Sequence, residues 1–124
     1  METYIAVLTA KHGHANELAE FYKSMEDELK AAPGFISRKI YVADKGRMVT
    51  AILNVYAEDE LPRKPEPPSA ESGTQIVLIE EWESAEHRIC FAKQTAPERK
   101  MAVVPLMLPE HSHEFFFDAT PEQD

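Results

Sequence analysis

Two of the five histidines, His111 and His113, have the spacing of side chains that share one face of a strand. The same face would carry Phe115 and Phe117, so both imidazoles would lie beside an apolar surface. An imidazole with an unperturbed pKa of about 6.5 can take up or release a proton near neutral pH. His111 and His113 are therefore candidate catalytic residues for proton transfer.

His87 is a third candidate base, because it follows the single tryptophan, Trp82, by about one helical turn. A metal site would need three or more converging ligands, which a His-x-His pair alone does not supply. We therefore expect no metal. A structural or surface role for all of these histidines stays open at the level of the sequence.

Trp82 follows a run of apolar residues at 76–79, which predicts a strand that is buried on both faces. Ser84 then has the residue type of a helix N-cap, and Glu86 would complement the dipole of the first helical turn. Trp82 either forms one wall of a pocket where strand meets helix or only closes the core, since tryptophan is highly buried whatever its role.

Three more aromatic side chains are candidate substrate contacts: Tyr4, Phe91 and Phe115. Cys90 is the only cysteine, and its one neighbouring cation is Arg88, so we expect a buried and inert thiol. A lone cysteine cannot form an internal disulfide, which agrees with a reducing, cytoplasmic location.

The elements that must position these residues alternate in type along the chain. Strands are expected at residues 4–9, 35–42, 75–82 and 111–118, and helices at 15–32, at 85–94 and from 95 to about 105. The first helix should end at Pro33 and Gly34, because the residue before a proline is pushed out of the helical region. Thr95 and Glu98 have the spacing of a capping box for the last helix.

The stretch between the second and third strands is the ambiguous part of the sequence. Residues 48–58 contain strand-forming residues but also a helical stripe, which we interpret as a helix. Residues 59–73 are rich in proline, serine and charge, which excludes a regular element. This loop is either a mobile surface segment or a lid over a pocket.

Composition narrows the class of protein. The chain has 124 residues, 44% apolar and 28% charged, which predicts one domain over residues 1–124 with a frayed tail at 119–124. A formal net charge of −9 makes nucleic acid an unfavourable partner. No apolar run reaches the ~20 residues that would cross a membrane, and the N-terminus lacks a basic region typical of a signal peptide.

This order of elements resembles the ferredoxin-like α+β sandwich, βαββαβ, with an insertion at about residues 48–75. Two local motifs resemble the antibiotic biosynthesis monooxygenase family, whose members form dimeric α+β barrels. The first is Pro33-Gly34-Phe35, between the first helix and the second strand. The second is Glu80-Glu81-Trp82-Glu83-Ser84, between the third strand and the next helix.

The resemblance implies a homodimer in which two sheets pack face to face. The apolar runs in the strands support this expectation independently, because a sheet with one face in water should alternate cleanly between apolar and polar residues. A partner sheet is the simplest cover for the second face. The alternative is that the segment beginning at Met48 covers it.

The resemblance also implies an enzyme of secondary metabolism that needs no cofactor and acts on a planar aromatic or polyketide-like molecule. In relatives that oxidise anthrone-like phenols, a base, an oxyanion donor and an aromatic wall surround a substrate carbanion that reacts directly with oxygen. The sequence departs from this pattern at Leu78, where those enzymes are expected to have an asparagine.

Two other functions remain open for the same fold. One is a non-catalytic domain that binds a small molecule or takes part in a stress response, with side chains filling the pocket. The other is haem degradation, which the sequence Leu8-Thr9 disfavours because those relatives have an asparagine on the first strand. An open cavity lined by a histidine would favour an enzyme.

Overall fold

The computed structural model describes residues 1–69 and 71–122 and has the predicted α+β architecture. Four strands form one antiparallel sheet in the order β2-β3-β1-β4. They are β1 (Glu2–Ala10), β2 (Phe35–Val42), β3 (Thr74–Trp82) and β4 (Ser112–Phe116). The helices are α1 (Ala15–Lys23), α2 (Glu26–Ala31), α3 (Arg47–Val55), α4 (Ala85–Gln94) and α5 (Pro97–Met101), with 3₁₀ turns at Glu58–Glu60 and Val104–Leu106.

The core lies between one face of this sheet and the helices. Burial alternates strictly along β1 and β3, as the two-residue period of a strand requires. The buried positions meet Leu18 of α1 and Leu29 of α2, which are almost completely enclosed. The apolar side chains of the first helical segment, Leu18 and Leu29 among them, therefore pack against this face of the sheet.

The opposite face of the sheet carries an apolar cluster of four half-buried residues: Ile5, Val7, Val77 and Ile79. Ile5 lies directly across from Ile79, and Val7 from Val77. The sequence predicts that both faces of β3 are buried. Within a single chain only the helix-covered face is buried, and the other face is half buried. We call this cluster the open sheet face.

The helix predicted at 15–32 is two helices separated by a turn at Ser24 and Met25. The Ser24 hydroxyl donates to the backbone oxygen of Phe21 at 2.5 Å, a local bond that competes with continued helix formation. Gly34 then takes a φ of +83° between α2 and β2, a conformation that residues with a β-carbon rarely adopt.

The predicted insertion contains helix α3, so the helical interpretation of residues 48–58 is confirmed. Residues 61–69 form no helix or strand, and four of them are prolines, at positions 62, 65, 67 and 68. Residue 70 lies outside the described part. The two ends of the β2–β3 connection are joined by Lys45, whose Nζ donates to the backbone oxygens of Ser69 at 3.2 Å and Ser72 at 2.8 Å.

Ser84 caps α4 as predicted, since its hydroxyl accepts from the backbone N–H of His87. The prediction for Thr95 is wrong. Thr95 ends α4, where its hydroxyl donates to the backbone oxygen of Phe91 at 3.1 Å, and the next helix begins with Pro97, whose missing N–H costs nothing at that position.

The last strand is shorter than predicted and ends at Phe116. Phe117 is 89% exposed, so it does not contribute to the core. Residues 119–122 of the tail have no regular secondary structure, and residues 123 and 124 lie outside the described part. Among the described helices, none has both the length and the apolar character needed to cross a membrane.

Candidate active site

A cavity of about 750 Å³ lies between the helix-covered face of the sheet and the segment that follows α5. Its floor is formed by Tyr4, Ala6 and Leu8 of β1 and by Leu78 of β3. The small side chain of Ala6 leaves space at the centre of this floor. The cavity is large enough for a planar molecule of several fused rings, since ligand pockets typically span ~300–1,000 Å³.

The strand register brings a histidine to this floor. His113 lies directly across from Ala6, and Phe115 lies across from Tyr4. Because paired residues of adjacent strands point to the same face, the His113 side chain joins Ala6 and Leu78 on the cavity side. His111, just before β4, also lines the cavity, with its ring centre 5.9 Å from that of His113.

Tyr4 and His113 are hydrogen-bonded, with 3.2 Å between the phenol oxygen and Nδ1. Burial raises the pKa of Tyr4, the nearby Arg88 opposes that rise, and Glu80 adds to it. The phenol is therefore neutral at physiological pH. It can donate to Nδ1, or it can accept from Nδ1–H and leave Nε2 free to take a proton.

A buried carboxylate anchors the helix side of the cavity. Glu80 is only 2% exposed, and its Oε1 accepts from Trp82 Nε1 and from Arg88 Nε, both at 2.8 Å. The guanidinium carbon of Arg88 in turn lies 4.4 Å from the centre of the Tyr4 ring, within the range of a cation–π contact. The core tryptophan, the carboxylate, the arginine and the tyrosine thus form one connected network.

The structure places Trp82 in the core and not among the residues that line the cavity. Its side chain is fully buried, and its ring packs against Phe35 at 5.2 Å and Phe91 at 5.9 Å between ring centres. Of the two roles considered for Trp82, closing the core is the one that this placement supports. Its link to the cavity is indirect, through Glu80 and Arg88.

The other predicted site residues are dispersed. The His87 ring packs against Gly34, with Nδ1 2.6 Å from the Ser84 hydroxyl, and does not line the cavity. Phe91 lines two smaller neighbouring depressions. Phe115 packs edge-on against Tyr4 at 5.5 Å and supports the tyrosine from the side.

The expectation for Cys90 is wrong, because its side chain is exposed. The helix that carries it presents that residue to the outside and Arg88 to the cavity. Within residues 1–69 and 71–122, no group of three histidine, cysteine, aspartate or glutamate side chains could hold a metal ion.

Sequence reasoning missed the charged part of this site, namely Glu80, Arg88, Lys11 and Lys100. A signal for Glu80 was present in the strand period: Glu80 has the same parity as Ile76, Leu78 and Trp82 and must share their buried face. A buried carboxylate requires a charged or hydrogen-bonding partner. The burial of Glu80 therefore predicts a nearby cation, and Arg88 on the following helix is in reach.

The sequence matches no protein-family model, and no curated protein matches it either. Solved structures do match over almost the whole chain. A Nitrosomonas europaea protein, which its name assigns to the antibiotic biosynthesis monooxygenases, has a TM-score of 0.62 at 14% identity over 98% of this chain and 93% of its own. A Pseudomonas aeruginosa protein has a TM-score of 0.62 at 13% identity over 96% and 94%.

A variant of SnoaB, a cofactor-independent oxygenase from Streptomyces nogalater, has a TM-score of 0.55 at 12% identity over 99% of this chain and 98% of its own. At these identities the likeness concerns the path of the backbone. It includes the four-stranded antiparallel sheet and the helices. The chain therefore shares the fold of the antibiotic biosynthesis monooxygenases.

Proposed function

We propose that the protein is a cofactor-independent monooxygenase that oxidises a planar aromatic or polyketide-like molecule in the cavity above Ala6. The observation that carries the proposal is the Tyr4–His113 pair, which places a titratable nitrogen and a phenol beside a mainly apolar floor. The fold shared with SnoaB, described as a cofactor-independent oxygenase, supports the same reaction class.

The proposed reaction begins with removal of a proton from a CH₂ group that lies between two aromatic rings and is conjugated through them to a carbonyl, as in anthrone. The resulting carbanion is stabilised as an enolate, transfers electrons to O₂ and forms a carbon–oxygen bond, giving a peroxide. Loss of water from the peroxide converts the CH₂ group to a carbonyl. One molecule of O₂ is consumed, one oxygen atom enters the product and the other leaves as water.

His113 is the proposed base. When Nδ1–H donates to the Tyr4 oxygen, Nε2 carries the free lone pair that takes the substrate proton. The hydrogen of the Tyr4 hydroxyl is then free to donate to the enolate oxygen as negative charge develops there. Arg88, stacked on the Tyr4 ring, holds the phenol in position.

We also propose a homodimer formed through the open sheet face. The four aliphatic side chains on that face are only half buried within a single chain. A second copy presenting the same face would complete a two-sheet barrel, and the cavity would stay on the outer, helix-covered side of each sheet.

The test uses anthrone as the substrate. Oxygen uptake and anthraquinone formation should exceed the uncatalysed rate with the unmodified protein. His113→Gln should reduce the rate by ~10²–10⁴-fold, because glutamine cannot accept a proton at neutral pH. His111→Gln is the matched control, since it lies in the same cavity and its Nδ1 faces the backbone oxygen of Pro109 instead of Tyr4.

Two results would contradict the proposal. One is oxygen uptake no faster than without protein, and the other is full activity in His113→Gln. Binding of anthrone without oxidation would instead favour the alternative of a non-catalytic domain that binds small aromatic molecules.

A further inference from the structure

The charge around the cavity is opposite in sign to the charge of the chain. The protein carries a formal net charge of −9, yet the described cavity lining contains Lys11, Arg88 and Lys100 and no aspartate or glutamate. Arg88 is paired with Glu80, so Lys11 and Lys100 give the cavity an excess of two positive side chains in a chain that has 22 acidic ones.

Arg88 has hydrogen-bonding capacity that the protein does not use. Its Nε donates to Glu80, and no side chain or backbone oxygen within residues 1–69 and 71–122 accepts from its two terminal nitrogens. The side chain is only 17% exposed, and the terminal nitrogens without a protein acceptor stay accessible to a ligand in the cavity that Arg88 lines. The planar guanidinium matches the geometry of a carboxylate, which can accept from both terminal nitrogens together.

The two lysines supply the uncompensated charge. Glu80 balances the charge of Arg88, but neither Lys11 nor Lys100 forms an ion pair with another described residue. They belong to separate parts of the chain, the turn after β1 and helix α5. The backbone N–H of Lys11 donates to Leu106 at 2.9 Å, which fixes this turn against the segment that borders the cavity.

From these observations we propose that the cavity selects aromatic ligands that carry a carboxylate. The ring system lies on Ala6, Leu8 and Leu78, and the carboxylate binds the terminal nitrogens of Arg88 in the field of Lys11 and Lys100. This inference rests on the proposed function only in taking the cavity as the substrate site. It narrows the substrate class to planar aromatic acids.

The experiment compares 2-naphthoate with 2-naphthamide by titration calorimetry at neutral pH. The two probes share the same rings and nearly the same shape, but only naphthoate carries a negative charge. Naphthoate should bind at least ~10-fold more tightly at low ionic strength, and the difference should shrink as salt is added. The affinity for the uncharged amide should change little with salt.

Lys11→Gln with Lys100→Gln should reduce the preference for naphthoate while leaving the affinity for naphthamide nearly unchanged. The matched control is Lys93→Gln, an exposed lysine of α4 that does not line the cavity. Arg88→Gln alone would leave Glu80 buried without its cation. The paired change Glu80→Gln and Arg88→Gln keeps an acceptor for Trp82 and should abolish the preference in a folded protein.

Equal affinity for the two probes, absence of binding by both, or an equal loss of preference in Lys93→Gln would overturn the inference. None of these measurements requires turnover. A preference for naphthoate without oxidation of anthrone would remove the proposed reaction and leave this inference standing. Oxidation of anthrone without a preference for naphthoate would overturn this inference and leave the proposed reaction standing.

Discussion

Gly34 and the ring of His87 are packed so closely that a β-carbon on Gly34 would lie 2.3 Å from Cγ of the histidine. The same contact explains why His87 does not reach the cavity. The Ser84 hydroxyl holds Nδ1 at 2.6 Å, and the absent side chain of Gly34 provides the space that the ring fills. His87, which the sequence offered as a candidate base, is thus part of the junction between α2, β2 and α4.

Gly34→Ala should lower the free energy of unfolding by about 2–4 kcal/mol, since the methyl group overlaps the His87 ring and alanine disfavours a positive φ. In a His87→Ala background only the backbone strain remains, so the same change should cost about 1–2 kcal/mol. Urea denaturation of all four proteins measures the coupling. Additive costs would show that the two residues do not contact each other.

Trp82→Phe should destabilise the fold by about 1–3 kcal/mol, because it removes a buried hydrogen bond to Glu80 and leaves unfilled space between Phe35 and Phe91. The affinity for 2-naphthoate, measured by calorimetry, should change less than twofold. Phe117→Leu, at an exposed position, should leave stability unchanged. If Trp82→Phe instead kept native stability and weakened the binding of 2-naphthoate, Trp82 would have to act as a wall of the cavity.

Stability should fall at alkaline pH because of Tyr22, whose pKa is raised to about 12, mainly by burial. A phenol with a folded pKa above its unfolded value of 10.0 contributes stability that is complete below pH 10 and is lost between pH 10 and about 12. Tyr22→Phe should flatten this decline in urea denaturation curves recorded across that range. Tyr41→Phe, at an exposed tyrosine, should leave the decline as it is.

The unmodified protein should sediment as a dimer at micromolar concentration, with a total buried interface above ~1,200 Å². Val7→Lys places a charge in the centre of the open sheet face and should yield folded monomers. Ile89→Lys makes the same change on the exposed side of α4 and should not alter the sedimentation coefficient. A monomeric unmodified protein would contradict the proposed assembly.

Trypsin should cut the folded protein first after Arg63, because residues 61–69 contain no helix or strand and have few buried side chains. Mass spectrometry should find two fragments that remain associated through the β2–β3 pairing. Arg63→Gln should delay the first cut, and a first cut after Lys23 or Lys93 would contradict the prediction. Slower cutting in the presence of 2-naphthoate would indicate that this loop closes over the cavity.

Most of the fold could be predicted because its signals are local. The apolar run before Trp82, the Ser84 cap and the Pro33-Gly34 stop each act within a few residues, and each is present in the structure. The order of elements then leaves few topologies for four antiparallel strands.

The candidate site could be predicted only in part, because it depends on contacts between residues far apart in sequence. The Tyr4–His113 bond joins positions 109 residues apart and follows from the β1–β4 register, which no local pattern reveals. His87 and Trp82 are residue types that could serve as a base and as an aromatic wall. Tertiary packing places His87 against Gly34 and Trp82 in the core instead.

The β2–β3 pairing has a consequence for the length of the chain. Val42 lies across from Ile76, and the backbone N–H of Ala43 donates to the oxygen of Gln75 at 2.9 Å, so the two ends of the β2–β3 connection meet. By loop-closure entropy, an excursion of about 30 residues costs only about 1.8 kcal/mol more than a turn of about four residues. A tight hairpin turn could therefore replace the segment between Ala43 and Gln75 with a net entropic gain, and the sheet would keep its register. For the same reason, a foreign segment inserted at this junction would add only a small loop-closure cost to the free energy of folding.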